Sequence, residues 1–257
     1  MDRVDLNSDM GESYGAYTMG DDAAMLKIVS SANVACGFHG GDPLVMDKTL
    51  REAKANGVGV GAHPSFLDPW GFGRRPILGE RPADIEKMLV YQIGAIQAMA
   101  HAVGHKVTHL KPHGSLNNMA CIDADLAVAC ARAAKTADWD LIFVAMPGTE
   151  MEKAGEKLGL RVAREIFADR NYTDDGQLVS RKLENAMIHD AKYAAERVVR
   201  MVQDQEIVSV GGKRIPVAVD TVCVHGDSPT AVAMAAEIRD ALKAAGIAVQ
   251  PMAEFVS

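Results

Sequence analysis

Missing from this 257-residue sequence is any apolar run approaching the ~18 residues that a membrane-spanning helix needs. Its first residues lead into a strand-like segment with no apolar leader, so no secretory signal is expected either. Cysteine is scarce: Cys36, Cys121, Cys130 and Cys223 form no C-x-x-C pair and are read as reduced thiols of a cytoplasmic protein. There is no G-x-x-x-x-G-K-[ST] phosphate loop and no G-x-G-x-x-G after a strand, which removes the two familiar nucleotide-binding turns. There is no H-E-x-x-H zinc motif. Pro/Ser linkers, low-complexity tracts and internal repeats are also absent, and one domain over residues 1–257 is expected. The net charge of −7, with acids and bases interspersed, argues against nucleic acid or an anionic membrane as partner.

What is present is a steady alternation of strand-like and helical patterns in a chain that is 48% hydrophobic and 24% charged. Strand-like runs fall near 3–7, 32–37, 58–62, 106–111, 140–145, 161–167 and 219–225, with a weaker eighth at 247–251. Asp42-Pro43 reads as an N-cap and first helical residue, with Gly57 ending that helix. Long apolar stripes run from Ile85 to Val103 and from Met187 to Val202, and a further one from Ala235 to Ala245. Residues 206–218, around Gly211-Gly212, read as an inserted hairpin. Seven or eight such units point to an α/β fold closed into a β/α barrel, with an open doubly wound sheet as the alternative.

Five of the strands end in polar clusters: VDLNSDMGE (4–12), ANVACGFHGGD (32–42), VGVGAHPS (58–65), VTHLKPHGS (107–115) and TVCVHGD (221–227). In a parallel barrel the C-terminal strand ends carry the active site. Strand alternation makes Asp5 and Asn7 share one face of their strand, His109, Lys111 and His113 one face of theirs, and Cys223, His225 and Asp227 one face of theirs. Lys111 and His113 are the favoured catalytic pair, because a buried ammonium needs a carboxylate or an anionic ligand. Asp9, His39, His63, His225 and Asp227 complete the catalytic candidates, with His225 and Asp227 read as a hydrogen-bonded pair. Asn7, Glu12 and Asp42 are substrate-binding candidates, although Asp42 also suits a helix cap. Two long loops, 63–81 and 168–182, should reach the same rim; they bring Arg74, Arg75, Asp169 and Arg170 as further binding groups. Asp5, His39 and His63 together offer a carboxylate and two imidazoles for a divalent metal. Cys36 is read as a small buried thiol.

The motifs DLNSDMGESYG, ANVACGFHGGDP, GAHPSFLDPWGFGRR, LKPHGSLNN, EIFADRNYTDDGQLVSR and CVHGDSP, in this order from residue 5 to about 230, resemble the LamB/YcsF family. Ser115-Leu116-Asn117 departs from the Ala-Leu-Tyr of that pattern and leaves Lys111 and His113 in place. The resemblance implies an irregular, seven-stranded β/α barrel like those of glycoside hydrolases and polysaccharide deacetylases. It implies ATP-dependent opening of 5-oxo-L-proline to L-glutamate, with ATP as co-substrate and 5-oxoprolinase subunits B and C as partners. Homo-oligomerisation is compatible with it. Two alternatives stand beside this expectation: a metal-dependent, deacetylase-like amide hydrolase, and a non-catalytic protein that only binds the substrate.

Overall fold

Apolar strands that alternate with amphipathic helices bury most surface by rolling into a cylinder inside a helical ring. The computed structural model, which describes residues 2–227 and 230–257, has this arrangement. Its first half runs β1 (Arg3–Met10), α1 (Asp22–Met25), β2 (Ser31–Ala35), α2 (Pro43–Asn56), β3 (Gly59–His63), α3 (Pro82–Ala102), β4 (Val107–Leu110) and α4 (Gly114–Ala120). Then follow α5 (Ala124–Ala137), β5 (Ile142–Ala145), α6 (Glu150–Lys157), β6 (Val162–Phe167), α7 (Ala191–Asp204), β7 (Glu206–Val208), β8 (Arg214–Pro216), β9 (Thr221–Cys223), α8 (Ala231–Ala244) and β10 (Ala248–Val249).

β1 to β6 and β9 form a ring of seven parallel strands, closed where β1 pairs with β9. The closing register sets Asp5 opposite Thr221 and Asn7 opposite Cys223. The weak eighth run, β10, only extends the first residues of β1 below that seam. β7 and β8 form the separate antiparallel hairpin expected around Gly211-Gly212.

Strand alternation sorts the faces. Val4, Leu6, Val34, Val60, Leu110 and Val222 join the helices in one apolar cluster. The opposite face fills the barrel with Asp5, Asn7, Asn33, His109, Glu165 and Thr221, all buried. Barrel interiors are more often packed with branched apolar side chains; here the filling is a hydrogen-bonded polar stack. Gly61 makes room for it: a Cβ there would run into the His109 ring.

Helix boundaries follow local chemistry. The Asp42 carboxylate accepts from the amides of Leu44 and Val45, and Gly57 ends α2 with φ +68. The stripe that begins at Met187 starts its helix later than expected, because Asp190 caps α7 by accepting from the Tyr193 amide. Met187 instead makes an extended bridge to Arg170. The short helices α1 and α4 had no apolar stripe long enough to announce them. Among the described residues no helix is long and apolar enough to cross a membrane. Ser228 and Pro229, which end the fifth motif, lie outside the described residues.

Candidate active site

The polar stack rises in layers along the barrel axis. At its floor the Asp5 carboxylate accepts from Ser30 Oγ (2.8 Å), Ser31 Oγ (2.6 Å), Thr221 Oγ1 (2.5 Å) and the Met252 amide (3.2 Å). Burial still outweighs these donors and lifts its pKa to about 6. Asp5 thus stitches the closing seam. It does not join His39 and His63, as expected for a metal ligand, because it lies four residues below Asp9, roughly 13 Å along a strand.

In the middle layer Asn33 Nδ2 donates to Asn7 Oδ1 (2.7 Å) and Asp9 Oδ1 (2.9 Å), and Asn7 Nδ2 donates to Thr221 Oγ1 (2.7 Å) and Glu165 Oε1 (3.1 Å). His109 Nε2 meets Asn33 Oδ1 at 2.9 Å, and burial pushes its pKa down to about 3, so it is a neutral structural donor. Lys111 Nζ sits between Asp9 Oδ1 (3.0 Å) and Glu165 Oε1 (2.8 Å), with Cys223 Sγ also at 3.0 Å. The counter-charge that this buried ammonium requires is therefore a pair of protein carboxylates. That leaves Lys111 no free valence for a substrate anion; of the two expected kinds of counter-charge, the carboxylate is the one present. Burial raises the Asp9 pKa, but His63 and Lys111 outweigh it and hold the carboxyl well below the usual range.

At the mouth four buried side chains converge. One ligand atom each from Glu12, His39, His63 and His113 lies within 4.8 Å of the other three. His63 Nδ1 donates to the Lys111 carbonyl at 2.7 Å and His113 Nε2 to the Phe72 carbonyl at 2.8 Å. Their remaining nitrogens, His63 Nε2 and His113 Nδ1, face each other at 2.9 Å. His39 stacks on His113 (centroids 3.7 Å apart, planes 4° apart), and its Nε2 reaches Glu12 Oε1 at 2.9 Å. Burial, then neighbouring Asp9, raises the Glu12 pKa to about 8; burial and the adjacent imidazoles push His39 and His113 well below the normal histidine value. Three imidazoles and a carboxyl with inward lone pairs form a donor set that can hold a divalent cation. Glu12, expected to bind substrate, thus takes the place foreseen for Asp5.

The loop after β3 completes this wall. Gly73 has φ +63, and a Cβ on it would come within 2.7 Å of His113 Cδ2 and 2.8 Å of His39 Cβ. The next residue, Arg74, crosses to Asp227 (2.6 Å) with its guanidinium 4.9 Å above the Phe72 ring. Arg75 turns away and is held by Asp68. On the far side His225 Nδ1 meets both oxygens of Asp169 (2.8 and 2.9 Å), so its partner is Asp169 and not Asp227, which Arg74 engages. Among the described residues no hydrogen bond to His225 Nε2 is found, and a second group, Asp9, Cys223 and His225, gathers beside the first.

Two remaining candidates serve the scaffold. Both Asp42 oxygens are used, one on the α2 cap and the other on the Gly15 amide at 2.8 Å. Arg170 is buried and donates to the Val179 carbonyl at 2.6 Å, ordering its own loop. Three site residues escaped the sequence reading: Glu165, Asn33 and Arg181. Glu165 and Asn33 lie on the inward faces of strands already recognised, so alternation alone would have found them. Arg181 feels Arg74 as a like charge and Asp227, Asp169 and Asp9 as opposite ones.

Comparison with known proteins follows the same outline. The model of the LamB/YcsF family matches residues 4–257. A protein of Rhodopseudomonas palustris (strain BisB5), named as the A-subunit of 5-oxoprolinase, is 55% identical over 251 residues, covering 98% of this chain and 99% of the relative. The crystal structure of a lactam utilization protein from Thermus thermophilus superposes with a TM-score of 0.91 at 44% identity, over 96% of this chain and 99% of that one. A T48 deacetylase shares the fold at TM-score 0.51 and 12% identity, over 98% of this chain and 88% of its own.

Proposed function

The chain belongs to the LamB/YcsF family, and on that premise we propose that it is the A-subunit of a cytoplasmic 5-oxoprolinase, opening 5-oxo-L-proline to L-glutamate. A five-membered lactam is a poor electrophile, and its hydrolysis needs an activated carbonyl, a positioned water and a proton for the leaving nitrogen. ATP supplies the activation in this reading by transferring its γ-phosphoryl group to the amide oxygen with release of ADP; water then adds to the carbon, the ring C–N bond breaks as the nitrogen takes a proton, and hydrolysis of the resulting acyl phosphate releases orthophosphate. With no phosphate loop in this sequence, the nucleotide is bound either by the partner subunits or at this mouth without that motif.

One observation carries the assignment. Arg74, a guanidinium at the rim, is one phenyl ring away from the imidazole cluster: it lies over Phe72, whose ring meets His39 and His113 edge-on at 5.5 and 5.3 Å. A small ligand with a carboxylate at one end and an amide at the other fits between them. Arg74, with Arg181 nearby, receives the carboxylate. His225, oriented through Nδ1 by Asp169, handles the proton at its other nitrogen, Nε2. Asp9, whose low pKa makes it a weak base, holds the attacking water. His113, expected as half of the catalytic pair, has one nitrogen on Phe72 O and the other on His63, so it belongs to the scaffold of the cluster. Glu12, His39, His63 and His113 would hold a divalent metal, which when bound polarises a carbonyl or lowers the pKa of water.

The test is glutamate release from 5-oxoproline and ATP by the chain together with its partner subunits. Release that requires all the subunits is expected, and its absence from the complete mixture would refute the proposal. The four-residue cluster also favours a second reading, metal-dependent amide hydrolysis without ATP. That reading requires activity of the chain alone that chelation abolishes.

A further inference from the structure

A second cavity, of about 520 Å³, lies between α7 and the β7–β8 hairpin, away from the mouth. That volume suits a small metabolite. Arg197 and Arg200, one turn apart on α7, line it, together with Asn171, Asn185 and Tyr193.

The charges in its wall do not balance locally. Asp204 and Glu206 are both engaged by Arg214, at 3.7 and 2.5 Å. Arg197 and Arg200 have no carboxylate within ion-pair distance among the described residues. Arg197 is only 7% exposed; its Nη1 donates to the carbonyls of Phe167 (3.1 Å) and Ala168 (3.3 Å). Its Nη2 is buried without a hydrogen-bond partner among the described residues. Arg200 reaches only its own helix, at Glu196 O (3.4 Å). A buried guanidinium with an orphaned donor and no counter-ion is costly, and native proteins leave few such groups unless a ligand completes them.

We propose that this cavity binds a phosphate-bearing small molecule, with the phosphoryl oxygens on Arg197 and Arg200 and the body of the ligand against Tyr193 and the two asparagines. Two unpaired guanidinium groups match a phosphate dianion better than a single carboxylate. The space exceeds that of an inorganic anion. Because Arg197 also grips the Ala168 carbonyl, one residue before the Asp169 that orients His225, occupancy is coupled to the active site through a single peptide unit.

Calorimetric titration of the full chain at constant ionic strength tests this, with orthophosphate, AMP and acetate as separate probes. Saturable one-site binding of orthophosphate or AMP is expected, with acetate at least tenfold weaker. AMP binding more tightly than orthophosphate identifies a nucleotide-like ligand, and equal affinity identifies the phosphoryl group alone. Arg200→Gln, at an exposed position where folding is not at stake, should weaken binding at least tenfold, while Arg74→Gln at the mouth should leave it unchanged. No saturable binding of either phosphate probe, acetate as good as phosphate, or full affinity in Arg200→Gln overturns the proposal.

Discussion

His63 Nε2 and His113 Nδ1 lie 2.9 Å apart, although each ring already donates its other nitrogen to a backbone carbonyl. Two lone pairs cannot face each other at that distance unaided. Either a proton or a metal ion must sit between them, and the adjacent Glu12 and His39 favour the ion. Protein exchanged into metal-free buffer and then loaded with zinc or manganese should retain about one ion per chain by elemental analysis. Glu12→Gln and His113→Ala should each lower metal affinity by about 10- to 100-fold or more. Wild-type protein that retains no ion after loading would show that the pair shares a proton instead.

Lys111 is held between Asp9 and Glu165 with almost no solvent contact. Lys111→Met should therefore destabilise the fold by about 3–5 kcal/mol in urea unfolding, since it strands two buried carboxylates. Combining it with Glu165→Gln should recover part of that loss. Additive losses would show that the charges are not coupled.

Asp169 orients His225 through Nδ1, and a residue that only stabilised the fold would leave turnover alone. Asp169→Asn should lower kcat of the assembled enzyme about 10²-fold with KM little changed. A variant with a lower melting temperature but wild-type kcat would remove Asp169 from the chemistry.

The floor of the barrel responds to pH in a defined direction. Asp5 has a pKa of about 6 in the fold against 3.8 for the free side chain. The folded state therefore binds this proton more tightly. The resulting stability is fully present below pH 3.8 and is lost as pH rises through 6. At about 1.4 kcal/mol per pKa unit, the stability of wild type relative to Asp5→Asn should fall by about 2 kcal/mol between pH 4 and pH 7, part of the effect being already lost at pH 4. Chemical denaturation of both proteins across that range measures it, and a constant difference would contradict it.

Gly73 tests how tightly the loop after β3 is moulded to the imidazoles. Gly73→Ala introduces a Cβ at positive φ within 3 Å of Ser65, His113 and His39. Activity should fall at least about tenfold, and the unfolding midpoint should also drop, because the new Cβ meets three buried side chains at a positive φ. Full activity would mean that the loop relaxes without disturbing the cluster.

Much of this was legible in the residues. Alternation along β1 and β4 placed Asp5, Asn7, His109 and Lys111 inside the barrel, and Gly211-Gly212 marked the hairpin. Depth was not legible: Asp5 and Asp9 have the same parity, yet one stitches the floor and the other faces the cluster. Partnerships across the ring were not legible either. Lys111 and Asp9 are 102 residues apart, and His225 and Asp169 are 56 apart. A nearer acid, Asp227, looked like the natural partner of His225 until the crossing of Arg74 claimed it.

The ring closes where residue 5 meets residue 221. During vectorial synthesis six of the seven barrel strands leave the ribosome before the strand that seals them, and β1 waits through some two hundred residues of growing chain with one edge open. Asp5 then has no Thr221, Arg74 no Asp227 and Asp169 no His225. The nascent chain therefore lacks all three of these pairs until its last β/α unit emerges, and a ribosome that stalls before residue 221 leaves an open-edged sheet.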